Sequence, residues 1–246
     1  SYRRACCSST PGRCLTSRAH IHMDVMAVSR LPPDIPYKNE NIVDIVLDKI
    51  KRLKTKKLNV LFIHDVNKFI NHEHSDRLYE DLQICQKEGL ISKIGISIYN
   101  ISEIEKFAKY YSYEVVQGPF NFFDDRLLKY SETNSNNKVM FQYRSIFLRG
   151  ILIDKNLRTH LPFKERLRLF DKKVRDCGFD NAISFSLAYA KQMLKSSKYI
   201  LGVRNLTDLT ELIKLEKKNS TKNKLTRNKF MESDYRLVNP YLWQVK

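Results

Sequence analysis

Leu58-Asn59-Val60-Leu61-Phe62-Ile63-His64-Asp65 decides how the rest of the chain is read. Its apolar run is short, rich in β-branched and aromatic residues, and it stops at a histidine and an aspartate. An apolar run of this length without alternation is the pattern of a strand buried on both faces. Its polar last residues then leave the core. In parallel α/β proteins the carboxyl ends of the strands carry the chemistry, which makes His64 a site candidate. A structural histidine at a strand end is the other reading of the same residue.

The same grammar returns downstream. Apolar runs with polar ends occur at residues 91–99, 113–118, 138–145 and 199–205. Upstream, Asp24-Val25-Met26-Ala27-Val28-Ser29-Arg30 is a further strand pattern, broken by Leu31-Pro32-Pro33. Helical stretches separate the runs. Ile42, Ile45, Val46, Ile50 and Leu53 fall at i, i+3, i+4, i+8 and i+11, one stripe of a helix capped by Asn39 or Asn41. A helix over residues 75–90 points Leu78, Leu82 and Cys85 inward and ends at Gly89. A third covers residues 101–110 with Ser102 as its cap. A short helix opens in the stretch that begins at Asn121. Residues 131–137 read as a polar loop and residues 147–161 as an irregular excursion. Pro162 suits the first turn of a helix running to Gly178. Residues 181–196 and 206–215 supply the last two helices.

Strands alternating with helices imply right-handed βαβ units and a parallel sheet. The expected fold class is α/β, a (β/α)8 TIM-barrel type, with six units beginning near residues 25, 58, 93, 114, 138 and 199. A closed barrel of this kind has eight, so the fold is expected to be incomplete, with the missing pair before residue 24. Residues 1–23 hold three of the five cysteines, four arginines and no lysine, whereas the first lysine is Lys38. They are expected to be an ill-ordered or non-native extension. Residues 24–217 form the barrel portion, residues 218–235 a polar linker, and the apolar stretch Leu237-Val238-Asn239-Pro240-Tyr241-Leu242-Trp243 docks on the body.

Composition narrows the function classes. The chain has 246 residues, a hydrophobic content of 42% and a formal net charge of +17. No window reaches the roughly 18 apolar residues of a membrane helix. The positive balance raises nucleic acid as a partner, but the lysines are scattered over helix faces and no RNA- or DNA-binding signature is present. The one dense basic run, residues 214–229, reads as solvated. No specific nucleic-acid partner and no membrane partner are expected, and the oligomeric state is open. The five cysteines lack metal spacing, and their odd count predicts free thiols in a cytoplasmic protein. His20 and His22 have no third partner, so no metal site is expected.

Six stretches in this order and spacing resemble the aldo-keto reductase family. Ser29-Arg30-Leu31-Pro32-Pro33 looks like the family's third-strand end, and Leu61-Phe62-Ile63-His64 like its fourth, where the catalytic histidine lies. Lys93-Ile94-Gly95-Ile96-Ser97 is similar to the fifth. Val115-Val116-Gln117 with Pro119-Phe120-Asn121 is similar to the sixth. Arg144-Ser145 through Gly150 resembles the seventh, and Gly202-Val203-Arg204-Asn205 the eighth-strand cofactor loop. The variant Tyr-Arg-Ser-Ile-Phe-Leu-Arg-Gly at 143–150 resembles a bacterial subgroup found with surface-polysaccharide genes.

The resemblance implies reversible hydride transfer between NADP(H), or NAD(H), and a small carbonyl or sugar-like substrate. The family uses Asp, Tyr, Lys and His. The histidine falls on His64, and Arg30 stands where the lysine would be. No Asp-x-Ala-x-x-Tyr-Gly segment occurs, so carbonyl reduction is expected to be impaired. Ser97 and Gln117 would bond the nicotinamide carboxamide, and Arg144 would lie under the ring with Ser145 beside it. Gly202, Val203, Arg204 and Asn205 would receive the phosphates, with Arg204 favouring a 2′-phosphate. Ordinary strand-end polarity would also place a Ser, Gln and Arg at such positions. A non-catalytic relative that binds a nucleotide or a partner is the alternative function, and a basic binding protein without redox chemistry a third.

Overall fold

The computed structural model describes residues 27–31, 41–134, 138–195, 197–218, 224–227, 235–239 and 242–243. Six parallel strands form one sheet in sequential order: β1 (Val28–Arg30), β2 (Val60–Ile63), β3 (Ile94–Ser97), β4 (Val115–Pro119), β5 (Met140–Arg144) and β6 (Lys198–Tyr199). Helices α1 (Ile42–Arg52), α2 (Val66–Ile70), α3 (Ser75–Lys87), α4 (Ser102–Ala108), α5 (Arg126–Thr133), α6 (Lys164–Asp176), α7 (Ala182–Leu194) and α8 (Leu206–Lys218) fall between and after the strands, and a short α9 (Tyr235–Val238) follows. Parallel neighbours in chain order with crossover helices are the architecture of a (β/α)8 barrel, of which the described residues supply six strands.

Strand alternation divides the apolar residues between two cores. Leu61, Ile63, Ile94, Ile96 and Val116 face the helices and join the large cluster with Ile42, Val46, Leu78, Leu82 and Phe107. Full burial of each such side chain contributes about 1.5–3 kcal/mol. Val60, Phe62 and Val115 form a separate cluster on the opposite, concave face, with Val28 and Met140 packed against it. Gly95 makes room there. A Cβ at Gly95 would stand 2.6 Å from the Phe62 ring, so β3 carries a glycine where Phe62 crosses it. A third concentration of apolar area joins the segment after β4 to α6 and α7. Phe122 meets Phe170, Phe185 and Tyr189 edge-on at centroid distances of 5.3–5.6 Å.

Local chemistry explains the boundaries. Asn41 Oδ1 accepts from the Val43 amide at 2.7 Å, Asp65 Oδ1 from Lys68 at 2.9 Å, and Asn181 Oδ1 from Ser184 at 2.8 Å. Gly89 and Gly178 take positive φ just past α3 and α6, the left-handed stop that glycine adopts without a Cβ clash. Cys85 is fully buried on α3, and burial pushes its thiol up to about 11.

Several expectations shift. Ser102 begins α4 but does not cap it. The Glu103 carboxylate takes the amides of Tyr99 (2.8 Å) and Asn100 (3.3 Å) instead. Pro162 precedes α6, whose N-cap is Phe163, so the proline lies one residue ahead of the cap rather than in the first turn. Leu53 lies at the C-cap of α1 and is 51% exposed, so the helical stripe ends one turn early. α5 continues to Thr133, into the stretch expected to be loop. The segment Val66–Ile70 is a helix that the apolar pattern did not reveal, because five residues are too few to show a period. Within the expected linker, residues 224–227 are docked. Leu225 is buried, its amide donates to Gln192 Oε1 at 2.9 Å, and Arg227 reaches Asp125 (3.2 Å) and Glu132 (2.9 Å). The two ends of the expected linker are helical, since α8 runs on to Lys218 and Tyr235 opens α9. The expectations for residues 1–23, for the start of the first strand at Asp24, for Pro32-Pro33 and for residues 219–223 and 228–234 of the linker lie outside the described residues.

Candidate active site

The strand order sets four side chains along one edge of the sheet. Ser97 pairs in register with Gln117, and Gln117 with Gln142. His64 follows the last residue of β2, and Arg144 ends β5. Two arrangements result.

The first is a polar chain across the concave face. A guanidinium nitrogen of Arg30 donates to Gln117 Oε1, and Gln117 Nε2 donates to Gln142 Oε1 at 3.3 Å. Both ends of the Gln117 amide are thereby engaged. Arg144 donates through Nη2 to the Ile98 carbonyl at 3.0 Å and through Nη1 to Ser145 Oγ at 3.2 Å. Its guanidinium carbon lies 4.2 Å from the centroid of the Tyr99 ring. Backbone strain concentrates just beyond, where Ser145, Leu148 and Arg149 all take positive φ. Non-glycine residues visit this region at a cost of roughly 1–2 kcal/mol each, and such strain clusters where a loop has to present a ligand.

The second arrangement is a cavity of about 410 Å³ at the ends of β2 and β3. His64, Ser97, Tyr99, Glu103, Tyr235 and Asn239 are among its lining residues. Neither Arg30, Gln117 nor Arg144 lines it, although both arginines act on His64 electrostatically. Burial holds the His64 imidazole below the usual histidine range, the nearby Arg30 and Arg144 charges add to the effect, and Asp65 opposes it. Nδ1 of His64 and Nε of Arg144 are buried with no hydrogen-bond partner among the described residues.

A consequence can be read in stability. Because the folded protein keeps His64 neutral, the unfolded chain binds its proton at higher pH. The neutral histidine therefore costs nothing above the unfolded value near 6.5 and costs stability as pH falls below it. Urea unfolding should give a lower free energy at pH 5 than at pH 7.5. The difference should shrink in His64→Gln. An unchanged pH slope in that variant would contradict the neutral assignment.

The remaining expected residues lie past β6. Asn205 Oδ1 accepts from the Asp208 amide at 2.8 Å at the start of α8. Arg204, 89% exposed, pairs with Asp208 at 3.1 Å. Nothing stands within 4 Å of a Cβ built on Gly202. Gly202, Val203, Arg204 and Asn205 do not line the cavity. The structure therefore joins His64 to Ser97 in one cavity, links Arg30 to Gln117, and leaves the β6–α8 turn out of the cavity lining. Tyr99, Glu103, Tyr235 and Asn239 were not legible as site residues. Tyr99 follows a strand end and Asn239 lies in the apolar docking segment, whereas Glu103 sits in α4 and Tyr235 in the stretch that reads as linker, where no local pattern marks them.

The family profile described as Aldo/keto reductase family matches residues 4–229. The chain belongs to the aldo/keto reductase family. The match begins within the stretch whose composition sets it apart, at residue 4. Among solved structures, the holo form of an aldo-keto reductase from Bacillus halodurans is 17% identical, with a TM-score of 0.60 over 92% of this chain and 76% of that one. The apo form of the Bacillus halodurans enzyme gives 17% identity and a TM-score of 0.59 over 85% of this chain and 70% of that one. At this identity the likeness shows the fold. No curated protein matches the sequence. No helix among the described residues of this aldo/keto reductase family member is long and apolar enough to cross a membrane.

The residues fit a nicotinamide dinucleotide. Orphaned buried nitrogens on His64 and Arg144, a buried serine in register with a buried glutamine, and an open glycine turn at a helix start are the donors such a ligand uses.

Proposed function

We propose that this chain is an NADP(H)-dependent oxidoreductase of the cytoplasm that interconverts a small carbonyl and its alcohol, with slow turnover. The observation that carries the reading is His64 and Ser97 in one cavity, with the Gln117 and Arg144 amide and guanidinium groups on the adjoining strand ends. When bound, the dinucleotide supplies or takes up the hydride. Ser97 and Gln117 would hold its carboxamide, with Gln117 exchanging one of its present bonds. Arg144 and Ser145 would flank the ring, and residues 202–205 would receive the phosphates. The neutral His64 imidazole offers an N–H to the substrate oxygen. Arg30 takes the place of the family's lysine, and its guanidinium keeps its proton at neutral pH, so proton supply limits the rate. The experiment is NADPH binding by fluorescence, followed by NADPH oxidation with a panel of aldehydes. Binding with slow, saturable oxidation supports the reading. Absence of dinucleotide binding would remove it.

Arg204 tests cofactor choice. Its exposed guanidinium pairs with Asp208 and in this reading also meets a 2′-phosphate. Arg204→Ala should weaken NADPH about tenfold, roughly one charge-assisted hydrogen bond, and leave NADH within about twofold. Equal losses for both nucleotides would show that Arg204 does not meet the 2′-phosphate.

A further inference from the structure

Two tyrosines line the cavity that holds His64, Tyr99 and Tyr235. The hydroxyl of Tyr235 is held in an unusual way. Asn100 Nδ2 donates to it at 2.8 Å, and Asn239 Nδ2 donates to it at 2.8 Å. The orientation of the Asn100 amide is set on its other side, where Oδ1 accepts from Arg126 Nη1 at 3.4 Å. Arg126 is itself gripped by both carboxylate oxygens of Asp124, at 2.9 and 2.8 Å, and its guanidinium carbon lies 5.3 Å from the Tyr235 ring centroid.

A phenol has one hydrogen and two lone pairs. In Tyr235 both lone pairs face N–H donors, so its own hydrogen points at neither amide. Among the described residues no acceptor takes it. Structural tyrosines in this protein behave differently. The Tyr79 hydroxyl donates to the Ser112 carbonyl at 2.9 Å, and the Tyr111 hydroxyl to an Asp76 carboxylate oxygen at 2.7 Å. An oxygen that accepts twice and holds its proton uncommitted is arranged to give the proton away, because the same two amides and the Arg126 charge stay in place for the phenolate.

We propose that Tyr235 is the proton donor to the substrate oxygen in this cavity, with Asn100 and Asn239 holding the phenolate that remains. The proposal rests on the hydride-transfer reading above. In the reductive direction the carbonyl carbon gains a hydride with its electron pair from a reduced nicotinamide, which is oxidised. The π pair of the C=O bond moves to oxygen, and that oxygen takes the Tyr235 Oη proton. The phenolate then takes a proton from water, which the ring's 40% exposure permits. In this scheme His64 steadies the developing oxyanion from within the same cavity, while Tyr235 delivers the proton.

The test compares the unmodified chain with Tyr235→Phe, which keeps the ring and removes only the hydroxyl. Turnover of aldehydes should fall about 10²-fold or more, with NADPH affinity unchanged. A second readout needs no cofactor. The carbonyl stretch of bound benzaldehyde should lie at lower frequency in the unmodified chain, and Tyr235→Phe should abolish most of that shift. Asn100→Asp sets a carboxylate beside the phenol oxygen, and should lower turnover as well. Equal turnover, or an equal carbonyl stretch, in the unmodified and Tyr235→Phe proteins would overturn the assignment. If the unmodified chain binds benzaldehyde with a Tyr235-dependent shift but reduces no aldehyde, the hydrogen bond stands and the oxidoreductase reading falls.

Discussion

The kcat/KM for aldehyde reduction should fall about 10²–10³-fold in His64→Ala, the range for removing one fixed donor from a developing oxyanion, while NADPH affinity changes little. His64 earns this expectation by position. It follows β2 directly, lines the cavity with Ser97, and is kept neutral by burial and by the Arg30 and Arg144 charges. A neutral imidazole carries one N–H and one acceptor nitrogen. With Nδ1 buried and unpartnered among the described residues, the ring has hydrogen-bonding capacity that those residues leave unused. The pH profile separates two roles. If the neutral ring only steadies the oxyanion, the His64-dependent rate stays flat from pH 7 upward. If the imidazolium supplied the proton, the rate would climb as pH drops through a value below the ordinary 6.5. A kcat/KM in His64→Ala within about threefold of the unmodified chain would mean that this histidine is structural.

Phe62→Ala should lower the unfolding free energy by about 3–5 kcal/mol. That is a large share of the roughly 5–15 kcal/mol that holds a domain together. Phe62 is 0% exposed, anchors the small concave cluster with Val60 and Val115, and crosses β3 where Gly95 leaves room for its ring. Removing the ring leaves a hole between two strands whose backbone positions are set by their ladder, so the walls have little freedom to collapse. Urea denaturation followed by circular dichroism measures the loss. Gly95→Ala puts a methyl 2.6 Å from the Phe62 ring and should destabilise by about 1–3 kcal/mol. Combining it with Phe62→Leu should recover part of that loss. A Phe62→Ala cost below about 1 kcal/mol would show that the concave cluster is not a core.

The strands and most helices were legible because each rests on information carried by a few consecutive residues. β2 is visible as an unbroken apolar run, α1 as a stripe with Asn41 before it, and the ends of α3 and α6 in Gly89 and Gly178. Where an element was misread, the deciding contact came from elsewhere in the chain or was too short to show a period. Residues 224–227 read as linker because they are polar, yet Arg227 meets Asp125 and Glu132, which lie about a hundred residues earlier.

The site divides in the same way. His64, Ser97, Gln117 and Arg144 announce themselves as polar residues at the ends of apolar runs, and a parallel sheet in chain order sends such ends to one edge. Sequence alone therefore determined that these residues share a rim, and that the fold is built of βα units. It did not determine which of them touch. The Arg30 link to Gln117 crosses 87 positions, and the Asn100 link to Tyr235 crosses 135. Hydrogen bonds of that span depend on how far a sheet curls and on where a terminal helix settles. Both are set by side-chain packing summed over the whole molecule, and no local pattern encodes them.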